Sequence, residues 1–315
     1  MQITGFRCQC KTDPQAILPL DHYSSGACPA PPFMAEWITT MLMGLAGDTE
    51  HCDGKITATR LLGCPRQSIL SDEIPLALDV RRLHSGQAGT SWHKAIREGG
   101  ARADSQYELR LPSTELFGVE VSGRCDRVSL DWSEIEDWKT HGESSMGFKW
   151  RNAKSGRVDR ELAAQLNLYR LIIARLILKV PDAEYRPRLI GWHMAMVRAQ
   201  RGPGEPPPKP GYKGRMPEEP PPPGFRVTLP IMSEDEIGRL RPFDDEDSPG
   251  MQPYSVRDIV KMYVDYRAAR VAGATLTDAL RAHVPLVGRG VWRGTMCTRY
   301  CAALEACNEV EGVGR

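Results

Sequence analysis

An α/β fold, a central mixed sheet flanked by helices, is predicted by three features of this 315-residue sequence. The first is a polar hairpin over about 118–140, with Asp131, Trp132 and Ser133 at its tip. The second is a long helix directly downstream, Glu161 to Val180, with apolar residues at 162, 166, 168, 172, 173, 176 and 177 forming one broad stripe. Arg170 and Arg175 interrupt that stripe and make the helix amphipathic. The third is a pair of strand-like runs, 188–197 and 224–231, separated by a segment too rich in proline for helix or central strand (202–224). Such a segment reads as an extended insertion between neighbouring strands.

The remaining elements follow in order. Residues 1–54 contain proline, glycine and cysteine, with a helical run over about 34–45, and form an N-terminal extension. Residues 55–118 are expected to be mainly helical, ending in a strand through 107–111. A loop over 142–157 is expected to join the hairpin to the long helix. Helices over about 254–272 and 276–283 lead into a C-terminal tail with three cysteines. No apolar run approaches the ~20 residues a membrane span requires.

The hairpin carries Asp126 in Gly-Arg-Cys-Asp-Arg-Val (123–128), then Asp137 and Lys139 in Glu-Asp-Trp-Lys-Thr (136–140). Strand side chains alternate between faces, so Asp137 and Lys139 share a face and Trp138 takes the other. A carboxylate from each strand then converges on one hard cation, with an ammonium beside it. Mg²⁺ and Mn²⁺ favour oxygen ligands and leave room for phosphate oxygens, which suits metal-assisted phosphodiester hydrolysis. The same residues would also make a solvated polar face. His93, in Gly-Thr-Ser-Trp-His (89–93), offers an imidazole that would complete a mixed site. Gln165 and Tyr169, spaced i, i+4, share one face of the long helix.

His93, Gly123-x-x-Asp126, Asp137-x-Lys139 and Gln165-x-x-x-Tyr169, in this order and spacing, resemble the RecB-like branch of the PD-(D/E)XK nuclease superfamily. The likeness runs from about Ile56 to Cys307. It implies a restriction-endonuclease-like core within a nuclease domain over 55–315. It also implies a metal-dependent deoxyribonuclease, an exonuclease acting on single-stranded or end-containing DNA. Asp126, Asp137, His93 and the main-chain carbonyl of Trp138 would hold Mg²⁺ or Mn²⁺. Lys139 would orient the attacking water or neutralise charge on the phosphate, and Gln165 and Tyr169 would hold the strand. Glu108, on the preceding strand, is a further candidate for the same face.

The nine cysteines are Cys8, Cys10, Cys28, Cys52, Cys64, Cys125, Cys297, Cys301 and Cys307. An odd number, with no signal-peptide pattern, argues against a secreted disulfide framework. Cys297, Cys301 and Cys307 make a tight thiolate group that wants a fourth ligand. Cys64, in Cys-Pro-Arg (64–66), is the candidate. Thiolate chemistry alone leaves zinc and iron–sulfur both open. The split of one early and three late cysteines is similar to that of the iron–sulfur RecB-like nucleases, namely the AddB nuclease domain and the CRISPR-associated RecB-like exonucleases. That likeness implies a 4Fe–4S cluster tying the two ends of the domain together, in a C-terminal cluster segment at 297–307. Cys8, Cys10, Cys28, His51 and Cys52 could make a second metal site, but their spacing is irregular and the four cysteines read as free buried thiols; Cys125 packs in its strand.

Formal net charge is +1, which excludes a generally basic nucleic-acid coat. Three stretches are locally basic. Residues 55–102 carry eight Lys/Arg against four acids, 139–160 six against two, and 281–304 four against none; all flank the proposed sites and suit phosphate contact. Phe148, Lys149, Trp150 and Arg151 mix aromatic and basic side chains, which serve base stacking or ordinary packing equally well. A cytoplasmic enzyme acting on DNA is expected, with no membrane partner. The chain carries no helicase P-loop, so unwinding would come from a helicase, recombination or CRISPR partner. The competing reading is a non-catalytic nucleic-acid-binding protein stapled by its cysteine cluster.

Overall fold

The computed structural model describes residues 3–7, 17–18, 56–74, 76–79, 93–99, 102–141, 143–195, 222–241, 254–285 and 303–312. The expectations for a helix at 34–45, for the proline-rich run up to 221, and for Cys8, Cys10, Cys28, Cys52, Cys297 and Cys301 lie outside these residues. The fold is α/β with a mixed central sheet flanked by helices. Among the described residues, no helix is long and apolar enough to cross a membrane.

The predicted hairpin is present as β6 (Val119–Ser129) and β7 (Glu134–His141). They pair antiparallel through Arg127↔Glu136 and Val128↔Ile135, which sets positions 126 and 137 abreast. At the tip the Asp131 carboxylate accepts from the Ser133 backbone N–H (3.1 Å) and hydroxyl (2.8 Å), a local turn that competes with strand extension. β5 (Ser105–Leu116) precedes β6 and pairs with it. Phe117 and Gly118 join them at φ +55° and +82°, the left-handed geometry that a two-residue hairpin turn demands.

The central sheet runs β3 (Ile56–Thr57), β6, β7, β8 (Arg188–Ala195), β9 (Gly224–Leu229), with β5 also on β6. β3 is parallel to β6, β7 parallel to β8, and the other neighbours on this path antiparallel. Both strands expected after the long helix are therefore present. The β7–β8 register pairs Asp137 with Gly191 and Lys139 with His193. A Cβ on Gly191 would lie 2.4 Å from Leu162 Cδ2, so only glycine admits the long helix this close to the sheet.

Residues 143–154, expected as loop, form a helix, α4 (Glu143–Lys154). It packs against β7 and β8 and buries Met146, and burial of that apolar turn outweighs the weak helix signal of its polar residues. The long helix is α5 (Arg160–Ile172), continued by a π-helical segment, Ile173–Leu178. Asp159 caps its start, accepting from Leu162 N–H at 3.3 Å, and Lys179 ends the segment at φ +56°. Every residue from Leu162 to Ile172 is buried, Arg170 included, so the expected amphipathic helix is wrapped on all sides here. Arg170 donates to the carbonyls of Asp182 (2.6 Å), Tyr185 (3.1 Å) and Met232 (2.8 Å), and to Asn167 Oδ1 (3.3 Å). A guanidinium with this many acceptors is tolerated inside because its charge and donors are satisfied.

Two compact units divide the chain. One comprises Ala88–Leu111 and Arg124–Ser233, and holds every residue of the candidate site described below. The other comprises Met1–Gln87, Pro112–Gly123 and Glu234–Arg315. This second unit has a three-stranded sheet in the order β2 (Ile17–Leu18), β1 (Ile3–Arg7), β4 (Leu76–Asp79). Its helices are α1 (Ala58–Leu61), α2 (Pro65–Glu73), α6 (Glu234–Arg239), α7 (Val256–Val271), α8 (Leu276–His283) and α9 (Leu304–Glu311). Ser255 and Asp258 close a capping box at the start of α7. The remaining helix, α3 (93–99), opens the site-bearing unit.

Candidate functional site

Three potential ligands meet where α3, β5 and β6 converge. His93, Glu108 and Asp126 each present one ligand atom, and all three lie within 4.8 Å of one another. His93 Nδ1 is 3.4 Å from Asp126 Oδ1 and 3.5 Å from Glu108 Oε1. Its other nitrogen, Nε2, donates to the Trp138 carbonyl at 3.0 Å, which fixes the ring and turns Nδ1 toward the carboxylates. The Trp138 carbonyl, expected as a metal ligand, is here engaged by His93. The two carboxylates drive His93 up to about 10, with the Asp126 hydrogen bond the largest cause and that of Glu108 next. Glu108 is correspondingly held below the usual carboxylate range, by its bond to His93 first and by Arg124 and Arg97 as well. One imidazole and two carboxylates form a hard N/O donor set that fits Mg²⁺ or Mn²⁺.

The backbone of Glu108 explains how a third strand reaches this point. Its φ is +52°, left-handed in mid-strand, an unfavourable conformation for a residue with a Cβ. The regular two-residue alternation of β5 is interrupted there. Arg124, across from it on β6, holds the carboxylate from outside, with Nε 3.0 Å from Oε2.

The second group lies beside the first and links β7 to α5. Asp126 Oδ2 accepts from the Trp138 backbone N–H at 2.5 Å, coupling the two groups. Asp137 and Lys139 point the same way, as predicted, with Oδ2 and Nζ 2.7 Å apart. Gln165 donates to Asp137 Oδ1 (2.8 Å) and Tyr169 Oη (2.6 Å) and accepts from Lys139 Nζ (2.9 Å). Gln165 and Tyr169 are 4% and 2% exposed, so they grip the Asp137–Lys139 pair instead of facing solvent. Burial pushes Asp137 up to about 6 against the pull of the Lys139 charge, and the nearby Asp126 adds to the rise. Burial works against the charge on Lys139, but Asp137 outweighs it and the net shift is upward. Asp137, expected as a metal ligand, is not in the His93–Glu108–Asp126 group; its buried Oδ2 accepts no well-directed hydrogen bond and is balanced by the Lys139 charge.

Farther along the same strands His141 Nε2 and His193 Nδ1 are 2.8 Å apart, and His193 stacks on Phe225 with centroids 4.9 Å apart. Lys149 pairs with Asp159 at 2.5 Å nearby. Burial is the main cause that lowers both histidines to about 4. A folded pKa below the ordinary 6.5 means the unfolded chain binds more protons between these values. Stability from this pair is therefore present above about pH 6.5 and is lost as pH falls toward 4. Calorimetric melting of the wild type should show a steeper fall across that window than a His141→Gln/His193→Asn double variant. Parallel curves would contradict this. Trp150, in the aromatic and basic run of α4, packs on Phe225 at 5.1 Å. Of the two uses open to that run, packing is what the structure gives Trp150.

In the other unit, Cys64 is the N-cap residue of α2, with Pro65 at the first helical position and no side-chain cap bond. Cys307 lies in α9, 3.9 Å from the Arg66 guanidinium. The structure thus brings Cys307 to the Cys64-Pro65-Arg66 turn although they are far apart in sequence. Cys125 is fully buried, and burial pushes its thiol well above the ordinary range.

No protein-family model matches this chain, and no curated protein matches it. Among solved structures it is similar to one described as "Crystal structure of SSO0001", with a TM-score of 0.44 and 12% sequence identity over 88% of this chain and 95% of that one.

Proposed function

We propose that this chain is a divalent-metal-dependent nuclease that hydrolyses phosphodiester bonds in DNA, working on single-stranded or end-containing substrate. The observation that carries the reading is the meeting of His93, Glu108 and Asp126 beside the ion pair of buried Asp137 with half-buried Lys139. His93, Glu108 and Asp126 would hold Mg²⁺ or Mn²⁺. Such a cation, when bound, polarises a phosphate oxygen and lowers the pKa of a coordinated water.

The protein's own residues supply the rest. Trp138, through its carbonyl and N–H, orients His93 and Asp126 together. Lys139 stays charged beside Asp137 and offers N–H donors to the negative charge that grows on a phosphate in the transition state. Gln165, itself bonded to Tyr169, accepts from that half-buried lysine, and a hydrogen-bonded lysine loses less freedom at the moment of reaction. Lys94, Arg97 and Arg124, on the neighbouring surface, favour the approach of a polyanionic strand.

In the other unit we read Cys64, Cys297, Cys301 and Cys307 as holders of a 4Fe–4S cluster. The approach of Cys307 to the Cys64 turn supports it. An end-labelled DNA assay tests the nuclease reading. Cleavage of single-stranded or free-ended duplex DNA is expected with Mn²⁺ or Mg²⁺ and not with EDTA. Binding without cleavage in every cation would instead favour a non-catalytic nucleic-acid-binding protein.

A further inference from the structure

Arg66 is 3% exposed, and its guanidinium joins the start of α2 to the ends of two other helices. Nε donates to Val284 O (2.5 Å) and Nη2 to Leu280 O (3.4 Å), at the C-terminal end of α8. Nη1 donates to Glu311 Oε1 (2.6 Å), the last residue of α9, and lies 3.9 Å from Cys307 Sγ. These partners are 214 to 245 residues away in sequence. A buried guanidinium stripped of such partners would be costly, so the three chain segments are held in one arrangement. Leu280 O also accepts from the Val284 N–H at 2.9 Å, so Arg66 adds a second donor there, and the planar fork of arginine meets several acceptors at once where the single point charge of lysine does not.

We infer that Arg66 is a positioning residue for Cys307, a latch that fastens α9 to the Cys64-Pro65-Arg66 turn before any metal binds and so keeps that thiol beside the turn. The metal-holding part of this inference rests on the cysteine reading above; the latch itself rests on the four contacts. Pro65, at the first helical position, fixes its own φ between Cys64 and Arg66. A group that orients a metal ligand in this way characteristically changes metal retention by about 10–100-fold when removed.

The test uses the full-length chain, purified anaerobically, as wild type, Arg66→Ala, Arg66→Lys, Glu311→Gln and Arg60→Ala. The last removes a surface ion pair with Asp72 and serves as control. Two quantities are read: the rate at which bound iron or zinc is lost to a chelator, and hydrogen exchange over 304–311 in chelator-stripped protein. Arg66→Ala and Arg66→Lys should lose metal roughly tenfold faster or more. In stripped protein they should also lose protection over 304–311 while residues 256–271 of the same unit stay protected, which separates an opened latch from unfolding of that unit. Glu311→Gln should shift both quantities in the same direction by less, and it decides the matter if Arg66→Ala is insoluble. Wild-type metal retention and wild-type protection in the Arg66 variants would overturn the inference. So would loss of protection over 304–311 in the stripped wild type, because the latch would then depend on the metal. A wild type that carries no metal would end the cysteine reading alone, and the exchange data would still judge the latch.

Discussion

Asp126→Asn is expected to fold normally and to cleave DNA at least roughly a thousandfold more slowly than wild type, about 4 kcal/mol of barrier. Asp126 has two tasks that this substitution separates. Oδ2 accepts the Trp138 N–H inside the sheet, and an amide oxygen can continue to do so. Oδ1 faces His93 in the ligand group, and there the lost negative charge cannot be replaced. Asp126→Ala removes both tasks and should add a stability loss of about 1–3 kcal/mol from the unpaired backbone donor. Turnover of end-labelled DNA in Mn²⁺, set beside melting temperatures, distinguishes the two effects. An Asn variant within tenfold of wild-type turnover would remove Asp126 from the reaction.

Arg170→Met is expected to be the most damaging single change to stability in the site-bearing unit. Methionine fills much of the volume but donates nothing. The carbonyls of Asp182, Tyr185 and Met232 and the Asn167 side chain would each lose a donor. Asn167 itself also holds Met232 N–H (2.8 Å) and Pro230 O (2.9 Å), so the disturbance passes to the segment after β9. A loss of roughly 3–5 kcal/mol is expected from breaking such a buried charged network, measured by urea denaturation. Arg170→Lys should fall between, keeping charge without the fork. A loss under about 1 kcal/mol for Arg170→Met would show that the carbonyls find other donors.

Arg170 also shows where the sequence misled. A charged residue in an apolar stripe reads as the wet side of a helix, and only the tertiary supply of carbonyls from residues 182, 185 and 232 makes the interior hospitable. The hairpin and the long helix were legible because their periods of two and 3.6 are set locally, and Asp137, Lys139, Gln165 and Tyr169 inherit their shared faces from those periods. Spacing brought Gln165 and Tyr169 toward the site but could not tell substrate contact from a grip on Asp137 and Lys139. Glu108 was readable only as a candidate, because its place in the ligand group depends on a left-handed backbone at φ +52° that no local pattern announces. α4 was missed for a related reason: its helix is stabilised by packing on β7 and β8, while its own sequence is a weak helix former. The His141–His193 pair spans two parallel strands, and its register is a product of the sheet alone.

In the proposed nuclease, His93, Glu108 and Asp126 together hold a divalent cation. The most direct measurement is a titration of Mn²⁺ into the full-length protein, with free ion followed by electron paramagnetic resonance, for wild type, Glu108→Gln and Asp126→Asn. Saturable Mn²⁺ binding is expected for the wild type, with strong weakening in Glu108→Gln and loss of that site in Asp126→Asn. Mn²⁺ binding of equal strength in all three proteins, or none in the wild type, would contradict it.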